Sequence, residues 1–172
     1  MEQLSLALTV NGEAYQVTTR PYATLLDVLH DQLGLTGTHE GCRMGECGSC
    51  SVLLDGHAVN ACLVLAPDVE GRAVTTVEGL AENGSLSALQ AAFVQCGALQ
   101  CGYCTSGMLI SAAAFLKRVQ ETPTAAEVRR ALVGNLCRCT GYAKIIDAIL
   151  AVATKSPNEM NVASEFAARG HD

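Results

Sequence analysis

The stretch GCRMGECGSC, residues 41–50, holds three cysteines interleaved with three glycines, and a fourth cysteine follows after eleven residues. The spacing C-x4-C-x2-C-x11-C is formed by Cys42, Cys47, Cys50 and Cys62. A two-iron cluster needs four thiolates around a compact rhomb, so three can come from one tight loop and the fourth from a neighbouring strand. Glycine lets the backbone approach closely enough for its N–H groups to point at the sulfurs.

The first three cysteines have the spacing of plant-type [2Fe–2S] proteins, and we predict such a cluster here. A structural zinc site is the alternative. Zinc knuckles favour CxxC pairs on both halves of the site, whereas this group combines one CxxC pair with a C-x4 spacing. The spacing therefore favours the iron–sulfur cluster over zinc.

The residues around this loop predict a small sheet with one helix. Apolar and polar residues alternate as in half-buried strands, and Asn-Gly and Asp-Gly pairs mark hairpin turns. A threonine precedes the helical segment as its cap. The predicted elements are strands over 4–10 and 13–19, a helix over 25–33 capped by Thr24, a hairpin within 50–64 turning at Asp55-Gly56, and a strand over 72–79. We assign residues 1–78 to this first domain.

Strand signals stop near Ala81, and helical periodicity takes over. Leu86, Leu89, Phe93 and Cys96 share one helical stripe, which makes Cys96 a predicted core residue. Four helices of this length suit a small bundle, and the predicted segments are 85–98, 106–119, 122–134 with a Thr124–Glu127 capping box, and 141–153. The fold class is therefore α+β, with a helical domain over 79–154 and a flexible tail over 155–172.

A second group of four cysteines lies in the turns of this helical region. Cys101 and Cys104 form a CxxC pair between the first two helices, and Cys137 and Cys139 lie between the last two. In an antiparallel bundle both turns can fall at the same end, which would unite them into one four-thiolate site. A thioredoxin-like redox pair is the alternative for the CxxC, but that reading needs a βαβ context and leaves the other two thiols unexplained.

Composition limits the classes of partner and compartment. The formal charge of −6 argues against nucleic acid or an anionic membrane as a partner. An odd count of nine cysteines, with no basic or long apolar segment near Met1, makes a disulfide framework a poor explanation and points to metal ligation in the cytoplasm.

The segments GCRMGECGSCSVLLDGHAVNAC, GALQCGYCTSGM and GNLCRCTGY together resemble the small iron–sulfur subunit of the molybdenum hydroxylases, the xanthine dehydrogenase, aldehyde oxidase and carbon monoxide dehydrogenase family. The resemblance runs from about Leu4 to Ala153. One departure is Ser106, where the family form CTPGM has proline. The resemblance implies a β-grasp plant-type ferredoxin domain followed by a four-helix bundle, with one [2Fe–2S] cluster in each.

The resemblance also implies partners and an electron path. A large subunit would carry molybdopterin, a medium subunit would carry FAD, and the complex would be a dimer of heterotrimers. Electrons would pass from molybdopterin to the bundle cluster, then to the ferredoxin cluster, then to FAD. By the same resemblance, Gln100 would hydrogen-bond the pterin and Cys139 would be the ligand in contact with it, although glutamine at such a position is more often solvated.

Three further observations leave alternatives open. Arg43 and Arg138 lie beside ligand cysteines and could either offset cluster charge or be solvated. The four histidines have no ligand spacing and are expected at the surface.

A diffusible ferredoxin and a zinc-stabilised binding module are the competing functions, and the second set of four cysteines argues against the diffusible carrier.

Overall fold

The computed structural model describes residues 3–81 and 83–154. Within them a five-stranded sheet with one helix is followed by four more helices. The elements are β1 (Leu4–Val10), β2 (Glu13–Thr19), α1 (Leu25–Asp31), β3 (Ser51–Leu54), β4 (His57–Asn60), β5 (Ala73–Thr75), α2 (Ala88–Gln95), α3 (Thr105–Leu116), α4 (Ala125–Ala131) and α5 (Ala143–Ala153). Short 3₁₀ turns cover Ala66–Val69 and Glu78–Leu80.

The sheet has the strand order β2-β1-β5-β3-β4. β1 and β5 are parallel, and the other neighbours are antiparallel. Both predicted hairpin turns are confirmed: Asn11 and Asp55 have φ of 52° and 49°, each followed by a glycine with positive φ, as type I′ turns require. β5 ends earlier than predicted because the side chain of Asn11 accepts the N–H of Thr76 at 2.9 Å, in place of a neighbouring strand.

The first core lies between this sheet and α1. Leu6, Leu8 and Val10 point inward from β1, as the alternation predicts. α1 begins at the predicted cap, where Thr24 and Asp27 form a capping box. The helix ends at Asp31 instead of residue 33, since the N–H of the next leucine reaches back five residues to Val28 and the chain turns away.

The second core is formed by the four helices of the other half. α5 packs against α2 and α4, while α3 makes its most extensive contact with β3 of the sheet. The Thr124–Glu127 capping box is confirmed. Leu86 was predicted on the buried stripe, but a Ser87–Gln90 capping box starts α2 later and leaves Leu86 59% exposed. Because α3 packs on the sheet, part of the helical half of the chain is buried against the half that contains the sheet.

No helix within these described ranges has the length and apolar character needed to cross a membrane. The predicted tail over 155–172 lies outside the described residues.

Candidate metal centres

The first cysteine group lies between α1 and β3 and at the end of β4. Cys42 and Cys47 belong to the loop and are partly exposed. Cys50, directly before β3, and Cys62, just after β4, are 2% and 6% exposed. The loop predicted for this stretch is confirmed. The site therefore has an outer pair of thiols near solvent and an inner pair against the first core.

Backbone N–H groups point at the outer thiol of Cys42. The N–H groups of Met44 and Cys47 each donate to its sulfur at 3.4 Å. These bonds, with that of Glu46, lower the pKa of Cys42 to about 6. Burial instead raises the pKa of Cys50 to about 12. Bound metal displaces the proton in either case, because a coordinating thiol is held as the thiolate.

Two glycines of the loop are required by close approach. A Cβ on Gly41 would lie 2.6 Å from the sulfur of Cys47. Gly48 has φ of +69°, and a Cβ there would lie 2.3 Å from the carbonyl oxygen of Gly134 in the other half of the chain. Glycine at position 41 therefore lets the backbone lie close to the Cys47 thiol. Glycine at position 48 lets the loop pack against the helical half of the chain.

Arg43, beside Cys42, is engaged by carboxylates. Its guanidinium donates two hydrogen bonds of 2.7 Å to Glu40 and lies 2.9 Å from Asp27 in α1. The Arg43 side chain is 48% exposed, and through these carboxylates it ties the loop to α1. Arg138 in the second group is exposed.

The structure brings together the two halves of the second cysteine group, as predicted. Cys101 and Cys104 lie between α2 and α3, and Cys137 and Cys139 lie between α4 and α5. The sulfurs of Cys101 and Cys139 are 3.5 Å apart and both residues are exposed. The thiols of Cys104 and Cys137 contact each other further inside, where burial raises the pKa of Cys104 to about 12.

Hydrogen bonds from the α4–α5 loop hold Cys137. The Thr140 hydroxyl lies 3.0 Å from its sulfur, and the Thr140 N–H donates to it at 3.4 Å. Burial acts to raise the pKa of Cys137, but these bonds outweigh it and the pKa is lowered. The N–H of Cys137 donates to the hydroxyl of Tyr142 at 2.9 Å. The loop thus orients one inner thiol of the second group.

The eight thiols occur as four contacting pairs. The pairs are Cys42 with Cys47, Cys50 with Cys62, Cys101 with Cys139, and Cys104 with Cys137. Within the described part of the chain, no three His, Cys, Asp or Glu side chains converge closely enough to hold a single metal ion. Two adjacent thiol pairs fit a two-iron cluster, since four thiolates divide between its two irons.

The two groups are joined by contacts that the sequence did not reveal. The N–H of Leu136 donates to the carbonyl of Cys47 at 2.9 Å. A second contact stacks the rings of His39 and Tyr103, with centroids 4.8 Å apart, and bonds the His39 ring to the Tyr103 carbonyl at 2.8 Å. His39 is therefore a partly buried contact residue, not the simple surface residue expected.

The remaining predicted residues lie near the second group. Gln100 is exposed and directly precedes the exposed Cys101. Cys96 ends α2 and packs against the helical core, although it is only partly buried. Gln100 thus stands beside the outward-facing thiol pair, where either solvent or a partner can reach it.

Comparison with known domain families gives the class of this chain. Residues 8–81 match the 2Fe-2S iron-sulfur cluster binding domain, and residues 76–150 match the [2Fe-2S] binding domain. Each match contains one of the two cysteine groups. The chain is thus an iron–sulfur protein with two 2Fe–2S-binding domains.

Individual relatives then give the family. The chain is 46% identical over 149 residues to the nicotinate dehydrogenase small FeS subunit of Eubacterium barkeri, covering 87% of this chain and 94% of that subunit. It is 44% identical over 150 residues to the xanthine dehydrogenase iron-sulfur-binding subunit of Escherichia coli O157:H7, with the same coverage. The chain belongs to the small iron–sulfur subunits of the molybdenum hydroxylases, and it is a non-catalytic subunit of an oxidoreductase.

Solved structures agree with this assignment. Quinoline 2-oxidoreductase from Pseudomonas putida 86 superposes with a TM-score of 0.85 at 45% identity, covering 89% of this chain and 94% of that one. The aldehyde oxidoreductase from Desulfovibrio desulfuricans ATCC 27774 has a TM-score of 0.84 at 40% identity, covering 91% of this chain but 18% of that longer one. These likenesses support an electron-transfer role.

Proposed function

We propose that this chain passes single electrons from molybdopterin on a large partner subunit, through two [2Fe–2S] clusters, to FAD on a medium partner subunit. The main structural support for this proposal is that each cysteine group consists of one outer and one inner pair of contacting thiols. Family membership supports the same role. When bound, a [2Fe–2S] cluster accepts and releases one electron.

The proposed ligands of the first cluster are Cys42, Cys47, Cys50 and Cys62, and those of the second are Cys101, Cys104, Cys137 and Cys139. Each contacting thiol pair would hold one iron. The chain contributes the N–H bonds to Cys42 and the hydroxyl and N–H bonds to Cys137. Such bonds to sulfur raise the reduction potential of a cluster, so these loops also tune the sites.

The exposed thiols suggest which face meets which partner. Cys101 and Cys139 reach the surface beside Gln100, with Tyr103 47% exposed. This face suits the molybdopterin subunit, with the Gln100 amide bonding the pterin and Cys139 in contact with it. Met44 in the loop of the first group and Leu63 beside Cys62 are 65% and 59% exposed, and we assign this apolar surface to the FAD subunit.

The finer description of the fold and assembly belongs to the same proposal. Residues 1–78 would form a β-grasp ferredoxin domain and residues 79–154 a four-helix bundle. The five-stranded sheet with α1, and the four later helices, support this division. The complex would be a dimer of heterotrimers in the cytoplasm.

Affinity purification of the tagged full-length chain from its native host tests the assignment. We expect it to bring down a large subunit with molybdenum and a medium subunit with FAD, in equal amounts. Purification under 1 M salt serves as a control, because contacts through the apolar surfaces should persist. A monomer that carries both clusters and binds no partner would establish the diffusible ferredoxin instead. Zinc without sulfide would establish the zinc-stabilised module.

A further inference from the structure

Asn135 lies buried between the two cysteine groups, with 5% of its surface exposed. Its side-chain amide donates to the carbonyl of Gly48 at 3.1 Å and lies 3.5 Å from the hydroxyl of Ser51. Gly48 follows Cys47 of the first group, and Asn135 lies two residues before Cys137 of the second group. The side chain therefore fastens one ligand loop to the other.

The contact held by Asn135 includes the shortest path through bonds that we find between the two cysteine groups. The carbonyl of Cys47 accepts the N–H of Leu136 at 2.9 Å, and Leu136 is bonded to Cys137. One hydrogen bond and the covalent bonds of three residues thus connect a thiol of the first group with a thiol of the second. Electron transfer between two sites depends on the bonds and gaps that separate them, so the geometry of this bond matters.

We infer that Asn135 is a positioning residue for electron transfer between the two cysteine groups. Its amide holds the Gly48 carbonyl, one peptide beyond the Cys47 carbonyl that accepts the Leu136 N–H, and so fixes the length of the connecting hydrogen bond. This inference rests on the proposed function, because it concerns the step between the two proposed clusters. It assigns a role to a residue that binds no iron.

The surrounding backbone leaves little freedom for this contact. A Cβ on Gly107 of α3 would lie 2.1 Å from the Gly48 carbonyl oxygen and 3.1 Å from the Asn135 amide nitrogen. A Cβ on Gly48 would lie 2.5 Å from the same nitrogen. The backbone at Gly48, Gly107 and Asn135 is therefore closely packed around the Asn135 amide, and the two glycines leave no space for a larger residue.

Each ligand loop also has supports that do not involve the Asn135 side chain. The Gly48 carbonyl still accepts the N–H and hydroxyl of Ser51, at 3.1 and 2.7 Å. Tyr142 donates to the backbone carbonyl of Asn135 at 3.2 Å and accepts from the N–H of Cys137. Removal of the amide should therefore loosen the contact between the loops without opening either loop.

The second contact between the halves provides a matched control. The buried hydroxyl of Ser106 lies 3.4 Å from the carbonyl oxygen of Ser49 and 3.4 Å from the His39 ring. It bridges the same two halves, yet it is not part of the Cys47–Leu136 connection. Ser106→Ala therefore removes a buried bridging group while leaving the connecting hydrogen bond in place.

The test compares Asn135→Ala, Asn135→Ser and Ser106→Ala with the wild-type full-length chain, each carrying both clusters. Iron and sulfide content and the reduction potential of each cluster establish that the sites are intact. Low-temperature EPR of the fully reduced chain then measures the spin–spin splitting between the clusters. Freeze-quenched EPR after pulse reduction measures the rate at which an electron equilibrates between them.

We expect the Asn135 variants to keep both clusters and potentials, to show altered splitting, and to equilibrate about tenfold more slowly, as small displacements of reacting groups can cause. Ser106→Ala should match the wild type. The inference is overturned if Asn135 variants with both clusters match the wild type in splitting and rate, or if every Asn135 variant loses a cluster. If the wild-type chain itself lacks two clusters or exchange between them, the proposed function fails instead.

Discussion

The two cysteine groups reach similar arrangements by different routes. Three thiols of the first group come from one loop of nine residues, and its inner pair lies against the sheet. The second group joins two loops separated by α3 and α4, and its outer pair is exposed. Local sequence thus specifies most of the first site, whereas the second depends on the packing of the helices. The second site is accordingly the more open and the first the more enclosed.

The interactions that hold the two cysteine groups in place also differ in kind. The three ion pairs found within residues 3–81 and 83–154 all lie in the first half, and two of them join Arg43, beside the first group, to Asp27 and Glu40. Cys137 of the second group is held by neutral groups: the Thr140 N–H donates to its sulfur, and the Tyr142 hydroxyl accepts its N–H. Acid should therefore weaken the support of the first loop before that of the second.

The largest expected effect comes from Cys139→Ser, which removes one outer thiol of the second group. We expect loss of the second EPR signal with the first unchanged, because no ligand of the first group is touched. Iron content should fall by about half, since each two-iron cluster needs four cysteine ligands. Spectra of the purified variant provide the measurement.

Cys96→Ser is the matched control for that substitution. Cys96 lies in the same half of the chain but outside both groups, so both signals should persist. If both signals vanish together in Cys139→Ser, the division into two independent sites is wrong.

Gly41→Ala should affect the first site alone. The added Cβ would lie 2.6 Å from the sulfur of Cys47, and overpacking of this kind costs about 1–3 kcal/mol. We expect reduced iron content and a diminished first EPR signal, with the second signal as the internal control. An undiminished first signal would show that the loop can yield at this contact.

Gln100→Ala should weaken coupling between the second site and the molybdopterin. In the purified complex, electron transfer from reduced molybdenum should slow by about tenfold, the order expected for loss of a hydrogen bond to the cofactor. Both clusters should remain intact. Gln95→Ala, at the exposed end of α2, is the control. An unchanged rate in Gln100→Ala would remove the proposed contact.

Asp27→Asn should have the smallest effect, about 1 kcal/mol of unfolding free energy near neutral pH, because it weakens the cap of α1 and the Arg43 pair. Burial acts to raise the pKa of Asp27, but hydrogen bonds from Thr24 and Arg43 outweigh it and the pKa falls below 3.8. The stabilisation is therefore full above the ordinary pKa and is lost as pH falls through the lowered pKa.

Denaturant unfolding of the wild type and Asp27→Asn across this pH range measures the difference. Asp31→Asn, at the other end of α1, provides the control for removal of a carboxylate from the same helix. A stability difference that grew as the pH was lowered would contradict the assigned sign.

Short-range signals in the sequence were sufficient for much of the fold. The pairs Asn11-Gly12 and Asp55-Gly56 can adopt positive φ with little strain, so they located both hairpins. Thr24 and Thr124 located two helix starts through local capping bonds. The grouping of the eight thiols also followed from spacing and from the positions of the helix turns.

Contacts between distant segments could not be predicted in this way. The packing of α3 on β3, the His39–Tyr103 stack and the Asn135 contact each join residues more than fifty positions apart. Nothing in the local pattern distinguishes a buried asparagine from a turn asparagine, because both favour the same backbone positions. Leu86 shows the converse error, since the helical period extended past the Ser87 cap.

Iron and acid-labile sulfide analysis of the full-length wild-type chain decides whether two clusters are present. We expect about four irons and four sulfides per chain, divided between two EPR-distinct [2Fe–2S] clusters. Two irons and one EPR signal, or zinc without sulfide, would contradict it.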